Sequence, residues 1–280
     1  AAGYYPPPPG ESEIMGLECA GEIVDTGDTD RQVGEKVACL LAGGGYAEYV
    51  AVPAGQLLPI PEGYSYEQAA AVVEVAATVW SNLGMLTGLA AGQTVLIHGG
   101  AGGIGTFAIQ LAKHLGAQVA VTAGSVEKLE ACRRLGADIL INYREENFAD
   151  VLKNRCDRIL DIIGAKYLDQ NVTALAPDGH MVIIGMQGGV KGELNIGKLL
   201  AKRGTISATA LRARSHADKA RIVTDTIKHV WPLLADGTIT HQLHATLPLA
   251  DAARAHELLR SGAVTGTLVL NVCSNEASKG

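Results

Sequence analysis

Two hydrophobic periods divide this chain. From residue 94 onward, short apolar runs of strand character alternate with segments whose apolar residues recur every three or four positions. TVLIH at 94–98 reads as a buried strand, and Ile104, Ala108, Leu111, Ala112 and Leu115 then recur at helical spacing until Gly116, a C-terminal stop. Further strands are predicted over 118–122, 139–141, 158–163, 180–184 and 205–210, with helices over 126–135, 146–154, 165–175 and 194–202 between them. Six strands joined by helical crossovers predict an α/β fold with a doubly wound parallel sheet, its ligand at the carboxyl ends of the strands.

Residues 1–66 have a different pattern. They are rich in Gly and Pro, with short apolar runs at 21–24, 36–41, 46–52 and 56–60, which predicts an irregular, β-rich, barrel-like module. An alanine-rich helical stretch over 67–86 leads into the alternating region, placing a boundary near Thr78. After the sixth strand come helices over 217–234 and 251–260 and a last strand over 267–272, whose β character suggests a return to the first module. The expected domains are therefore 1–78 with 213–280, and 79–212.

Composition narrows the partners. Of 280 residues 48% are hydrophobic, enough for a sizeable core. The net charge of −6 is spread without basic clusters, so no nucleic-acid partner is expected. No charge-free apolar run reaches about 18 residues, so no membrane span is expected either. The five cysteines are scattered without a C-x-x-C pair, which reads as a reduced, cytoplasmic protein without structural zinc. The opening residues lack the basic and long apolar regions of a signal peptide and read as an entry into the middle of a domain.

Between the strand at 94–98 and its helix, Gly100, Gly102 and Gly105 fit G-x-G-x-x-G. The three glycines permit a tight turn, backbone approach to a pyrophosphate, and close packing of helix on strand, while the helix N-terminus faces the anion. NAD is usually declared by an acid about 20 residues past the glycines. Here the second strand ends in Thr122-Ala123-Gly124-Ser125, with Ser125 near that position and Lys128 one turn on. Ser125 reads equally as a helix cap and Lys128 as a solvated lysine. A lysine in a first helical turn opposes the dipole, however, and a phosphate would offset that. NADPH is therefore favoured; an NAD reading would use Glu127. Tyr143, just past the third strand, stands near the same phosphate.

The run Gly92-Gln93-x-x-Leu96-x-x-x-Gly100-x-Gly102-Gly103-x-Gly105-x-x-x-x-Gln110-x-x-Lys113 resembles the signature of the quinone oxidoreductase, or zeta-crystallin, branch of the medium-chain dehydrogenase/reductase superfamily. The likeness extends to GYYPPPPG at 3–10, MGLECA at 15–20, YAEYVAV at 46–52, LPIPEG at 58–63, and residues 122–128 and 199–215. It implies a GroES-like catalytic domain beside a Rossmann domain, and hydride transfer from NADPH to a quinone or similar conjugated carbonyl. By position, Tyr5 would border the substrate and Thr78 would approach the nicotinamide. Gly102, Gly103 and Ile104 would face the pyrophosphate, and Gly124, Ser125, Lys128 and Tyr143 would surround the 2′-phosphate. Gly185 and Met186, with Leu211 and Arg214, would flank the cofactor. A homodimer joined through the sixth strands, at Ile206-Ser207-Ala208, is also implied.

The sequence differs from its relatives in several places, among them a short joint at Asn154-Arg155-Cys156-Asp157 where relatives have a glycine-containing loop. Gly16-Leu17-Glu18 stands where zinc-dependent relatives carry Gly-His-Glu, so zinc catalysis is not expected. The family's opening strands would precede Gly3, and Thr267 stands where relatives often have Lys. No Ser-His-Asp set or carboxylate pair is evident, and His98 reads as packed or hydrogen-bonded. Reduction of an enoyl or alkenal double bond, and non-catalytic NADPH binding of the crystallin kind, stand as alternatives.

Overall fold

The structure, a computed structural model, describes residues 7–272. The chain divides into two compact units, Ala1–Thr78 with Leu211–Gly280, and Val79–Ala210.

In the first unit, β1 (Glu18–Glu22) pairs antiparallel with β2 (Lys36–Leu40), and β2 with β3 (Leu57–Pro59). Val37, Cys39 and Leu41 form its buried core, with Cys19, Ile23, Val50, Val52 and Leu57 packed around them. The apolar run over 46–52 therefore contributes side chains to the core without joining the sheet. The segment before it is tied elsewhere, since the N–H groups of Gly44, Gly45 and Tyr46 donate to the carbonyls of Ile14, Gly16 and Met15. That approach is close enough that a Cβ on Gly16 would lie 2.6 Å from the Cα of Gly45.

The single helix expected over 67–86 is three pieces: α1 (Tyr66–Ala70), α2 (Val73–Val79) and a π-helical turn over Trp80–Leu86. A capping box starts α1, with the Ser65 hydroxyl accepting from the Gln68 N–H and the Gln68 amide accepting from that of Ser65. The stretch has the length and mean hydropathy, 1.4, of a membrane span, but 72% of its most apolar window is buried inside the protein, as a core helix requires.

The second unit alternates regularly. It runs β4 (Thr94–His98), α3 (Gly103–His114), β5 (Gln118–Ala123), α4 (Val126–Arg134), β6 (Ile139–Asn142), α5 (Phe148–Val151), β7 (Cys156–Asp161), α6 (Leu168–Ala174), β8 (Leu175–Ile183), α7 (Ile196–Lys202) and β9 (Thr205–Ala208). The sheet order is β6-β5-β4-β7-β8-β9, all parallel, so the strand order reverses between β4 and β7. Leu96 sits at that reversal, in register with Ala120 on one side and Ile159 on the other, and is fully buried. The helix expected over 146–154 is only α5. The Asn147 side chain starts it by accepting from the Ala149 N–H, and Asn154 then takes a positive φ of 57° before β7 begins.

The tail returns to the first unit with α8 (His216–His229), α9 (Trp231–Ala235), β10 (Leu243–Pro248), α10 (Ala252–Ser261) and β11 (Thr267–Asn271). The helix expected over 217–234 breaks at Val230 because Pro232, in the first turn of α9, has no N–H to donate back. The last strand does not join β1–β3. It pairs in parallel with β10, which the hydrophobic pattern did not mark, and reaches α1 through the Asn271 amide, 3.4 Å from the Glu67 carboxylate.

Candidate functional site

The glycines between β4 and α3 have separable reasons. Gly99 turns the chain at φ 69°, and a Cβ on Gly105 would lie 2.4 Å from the Gly99 carbonyl oxygen, so α3 rests directly on the turn. A Cβ on Gly100 would meet Val121 at 2.9 Å and the Cys132 sulfur at 3.0 Å. Gly102 is different. Its φ of −79° suits any residue, and a Cβ there would touch only the Gly99 oxygen, at an ordinary 3.5 Å. The protein itself does not demand a glycine at 102; the absent side chain leaves open space above the start of α3. Gly102 is also the N-cap of α3 and offers no side-chain cap, so the free N–H groups of the first turn, at Gly103 and Ile104, are left for an anion.

A second cluster lies at the end of β5. The Tyr143 N–H donates to the Ala123 carbonyl at 3.2 Å, extending the β5–β6 ladder by one residue and laying Tyr143 over Gly124. A Cβ on Gly124 would lie 2.5 Å from the Tyr143 hydroxyl oxygen and 3.4 Å from the Arg144 Nε. Ser125 caps α4, its hydroxyl oxygen accepting from the Lys128 N–H at 3.3 Å. The Glu127 carboxyl is held below its usual range by its own backbone N–H and by the Ser125 hydroxyl. The structure thus gathers Gly124, Ser125 and Tyr143, with Lys128 one turn along α4, and adds Arg144. The sequence signal for Arg144 is its place directly after Asn142-Tyr143 at the end of β6.

Between these clusters, buried polar groups tie the strands together. His98 Nδ1 lies 3.0 Å from the Thr122 hydroxyl and Nε2 lies 2.7 Å from the Asn171 side-chain oxygen. The Asn171 amide donates to Asp161, whose carboxylate also accepts the N–H groups of Ile163 and Gly164. Burial pushes the His98 imidazole down to about 4, so it is neutral near pH 7. It packs against Phe148 and Tyr167, ring centroids 4.7 and 4.9 Å away, and has no open face for catalysis. Beside these rings a cavity of about 360 Å³ is lined by residues 143–148 with Lys166, Tyr167 and Gln170.

Gly185 and Met186 follow β8. A Cβ on Gly185 would lie 2.8 Å from the Ile162 carbonyl oxygen, and the N–H groups of Gln187 and Gly188 donate to the carbonyls of Ile162 and Ile163. The loops after β7 and β8 are therefore stitched into one rim, with Met186 exposed on it. Thr78, Leu211 and Arg214 belong to the other unit. The buried Thr78 hydroxyl donates to Glu74 at 2.8 Å, and the Glu74 N–H donates to Glu18 at 2.7 Å. Burial and the neighbouring Glu74 charge push the Glu18 carboxyl up to about 8. Leu211 and Arg214 close a turn, both half-buried. Tyr5 lies outside the described residues.

Comparison with known proteins identifies the family. Family models for the alcohol dehydrogenase GroES-like domain and for zinc-binding dehydrogenases match residues 1–62 and 103–228. A quinone oxidoreductase of Pseudomonas aeruginosa is 34% identical over 277 residues, covering 96% of this chain and 85% of the relative. This chain belongs to the quinone oxidoreductase branch of the medium-chain dehydrogenase/reductase superfamily. Two solved structures of the branch superpose closely. The quinone oxidoreductase of Pseudomonas syringae pv. Tomato gives a TM-score of 0.84 at 29% identity, covering 96% of this chain and 84% of that one. That of Escherichia coli, complexed with NADPH, gives 0.82 at 30% identity, covering 94% and 84%. A segment of a highly reducing polyketide synthase of Emericella nidulans is also 34% identical, over 95% of this chain and 11% of that protein. Among the described residues no three His, Cys, Asp or Glu side chains converge as a metal site.

Within this quinone oxidoreductase fold, Gly102 and Gly105 are expected to separate binding from stability. Gly102→Ala should leave the thermal unfolding midpoint near that of the parent while weakening NADPH about tenfold or more, a loss of about 1.4 kcal/mol. Gly105→Ala should instead lower the midpoint, because its Cβ strikes backbone. Calorimetric titration beside thermal melts reads both; a Gly102→Ala variant with parental affinity would remove the anion reading of the turn.

His98 also predicts acid sensitivity. Its folded value, about 4, lies below the ordinary 6.5, so the unfolded chain binds more protons between those values. The stability present above pH 6.5 is then lost as pH falls toward 4, at roughly 1.4 kcal/mol per pH unit. Urea unfolding of His98→Gln between pH 6.5 and 5 should show a shallower decline than the parent. Parallel declines would exclude His98 as a source. His241, half-buried and also pushed down to about 4, contributes equally to both proteins.

Proposed function

We propose that this protein is an NADPH-dependent oxidoreductase that delivers a hydride to a quinone or similar conjugated carbonyl, without zinc. The observation that carries the reading is the glycine at 102, which the fold does not require and which leaves room at an uncapped helix N-terminus. Gly100 and Gly105 shape the turn; Gly102, Gly103 and Ile104 take the pyrophosphate. Gly124, Ser125, Lys128 and Tyr143 meet the 2′-phosphate, and the cavity bordered by Tyr143 and Tyr167 takes the adenosine end. Gly185, Met186, Thr78, Leu211 and Arg214 are proposed as further cofactor contacts, and Tyr5 as the residue bordering the acceptor.

When bound, NADPH supplies the hydride, and the protein orients it and excludes water. The neutral, buried His98 holds the turn after β4 and the rim after β7 at fixed spacing and moves no proton. Quinone reduction requires little acid catalysis, because the product oxyanions take protons from water.

The test is cofactor binding followed by an acceptor screen. Lys128→Ala should weaken NADPH roughly ten- to a hundredfold and hardly affect NADH, the usual loss of a charge-assisted contact. Equal losses would remove Lys128 from the 2′-phosphate site. The full chain should oxidise NADPH with an ortho-quinone. Turnover with an enal alone would establish the second reading, reduction of a conjugated double bond, which the match to a polyketide synthase segment favours. Tight binding without turnover on any acceptor would make it a binding protein.

A cytoplasmic homodimer completes the proposal. Among the described residues β9 has a sheet neighbour on one side only, and α7 exposes Ile196 and Leu200, 70% and 76% accessible, four residues apart. A second copy pairing along β9 would cover both the open strand edge and these side chains. Light scattering should give twice the chain mass, and Leu200→Glu should give one chain mass. A monomeric parent would refute the pairing.

A further inference from the structure

We propose that Arg144 is a second cation for the cofactor's 2′-phosphate and that, together with Lys128, it sets the preference for the phosphorylated dinucleotide. The proposal rests on the NADPH reading above and adds a specificity-determining residue to it.

Position comes first. The Arg144 Nε lies 3.4 Å from where a Cβ on Gly124 would stand, so its guanidinium folds back over the end of β5 beside the residue that precedes Ser125. A built turn fixes that placement. Asn142 is buried; its side-chain oxygen accepts the Arg144 N–H at 3.2 Å, and its carbonyl accepts the N–H groups of Glu145 and Glu146 at 3.0 and 2.9 Å. Arg144 therefore leaves the chain in a defined direction, on the same side as Tyr143.

Charge comes second. Arg31, Arg133 and Arg203 each have a carboxylate within 2.6 to 3.2 Å. Among the described residues Arg144 has none, although Glu145 and Glu146 adjoin it in sequence, and neither has Lys128. The acid nearest Ser125 in sequence is Glu127, whose carboxylate is already engaged by the Ser125 hydroxyl and its own backbone. Glu145 and Glu146 line the same cavity but form no ion pair with Arg144, so the guanidinium and the Lys128 ammonium keep donors for a phosphate dianion. A planar guanidinium supplies what Lys128 lacks, two parallel donors matched to two phosphate oxygens.

The experiment titrates the full-length protein with 2′,5′-ADP and with 5′-AMP, ligands that differ only in the phosphate concerned, by calorimetry. Arg144→Gln should weaken 2′,5′-ADP roughly ten- to a hundredfold and leave 5′-AMP unchanged. Arg144→Lys should recover part of the loss, as a point charge without the fork. No change with Arg144→Gln, or equal losses for both ligands, would overturn the role of Arg144. Lys128→Ala separates that failure from a deeper one: if the parent binds both ligands alike and neither variant discriminates, the 2′-phosphate site itself is wrong. Because Arg144 is exposed, unchanged thermal melts accompany a genuine binding effect.

Discussion

Helix α3 rests on the backbone of the turn that precedes it, and much of the second unit follows from that contact. With only 2.4 Å between a notional Cβ at Gly105 and the Gly99 oxygen, no side chain fits there. The helix can then start immediately beyond β4, with its N-terminus at the carboxyl edge of the sheet. The positive end of its dipole and its unused N–H groups are thereby aimed where the strand order reverses. A larger residue at 105 would force the helix away, and the open space at Gly102 would lose its floor.

The buried polar chain from Thr122 through His98 and Asn171 to Asp161 does for the rim what the glycines do for the turn. Each of these groups would be costly to bury alone, and each has a partner. Because it links β5, β4, α6 and the loop after β7, a shift of any one element would leave a buried polar atom unsatisfied. The network therefore fixes distances, and the neutral imidazole at its centre acts through geometry. The carboxyl chemistry of the first unit has the same character: Glu18, Glu74 and Thr78 are bound to one another and to the start of α2.

Much of this was legible in the chain. The strands over 94–98, 118–123 and 139–142 stood out because parallel strands buried on both faces are continuous apolar runs. Gly100, Gly102 and Gly105 could be assigned roles because backbone geometry follows from local spacing. The misread elements are those where local pattern and packing disagree. Residues 46–52 have the composition of a strand, but the preceding glycines are tied to residues 14–16, and Val50 and Val52 enter the core from a loop. Strand β10, broken by polar residues, has its strand form from pairing with β11.

The sequence by itself determined the fold class, the glycine turn and the family, because each is written in residues close along the chain. Only the tertiary structure decided that His98 is a sealed structural hub, since its partners lie 24 and 73 residues away. It alone separated Gly102, open on its outer side, from Gly105, wedged against backbone, two residues of one type in one motif. It also brought Arg144 to Gly124, across 20 residues and a whole helix. Such a pairing is set by the register of β5 against β6, a long-range contact that no local pattern encodes.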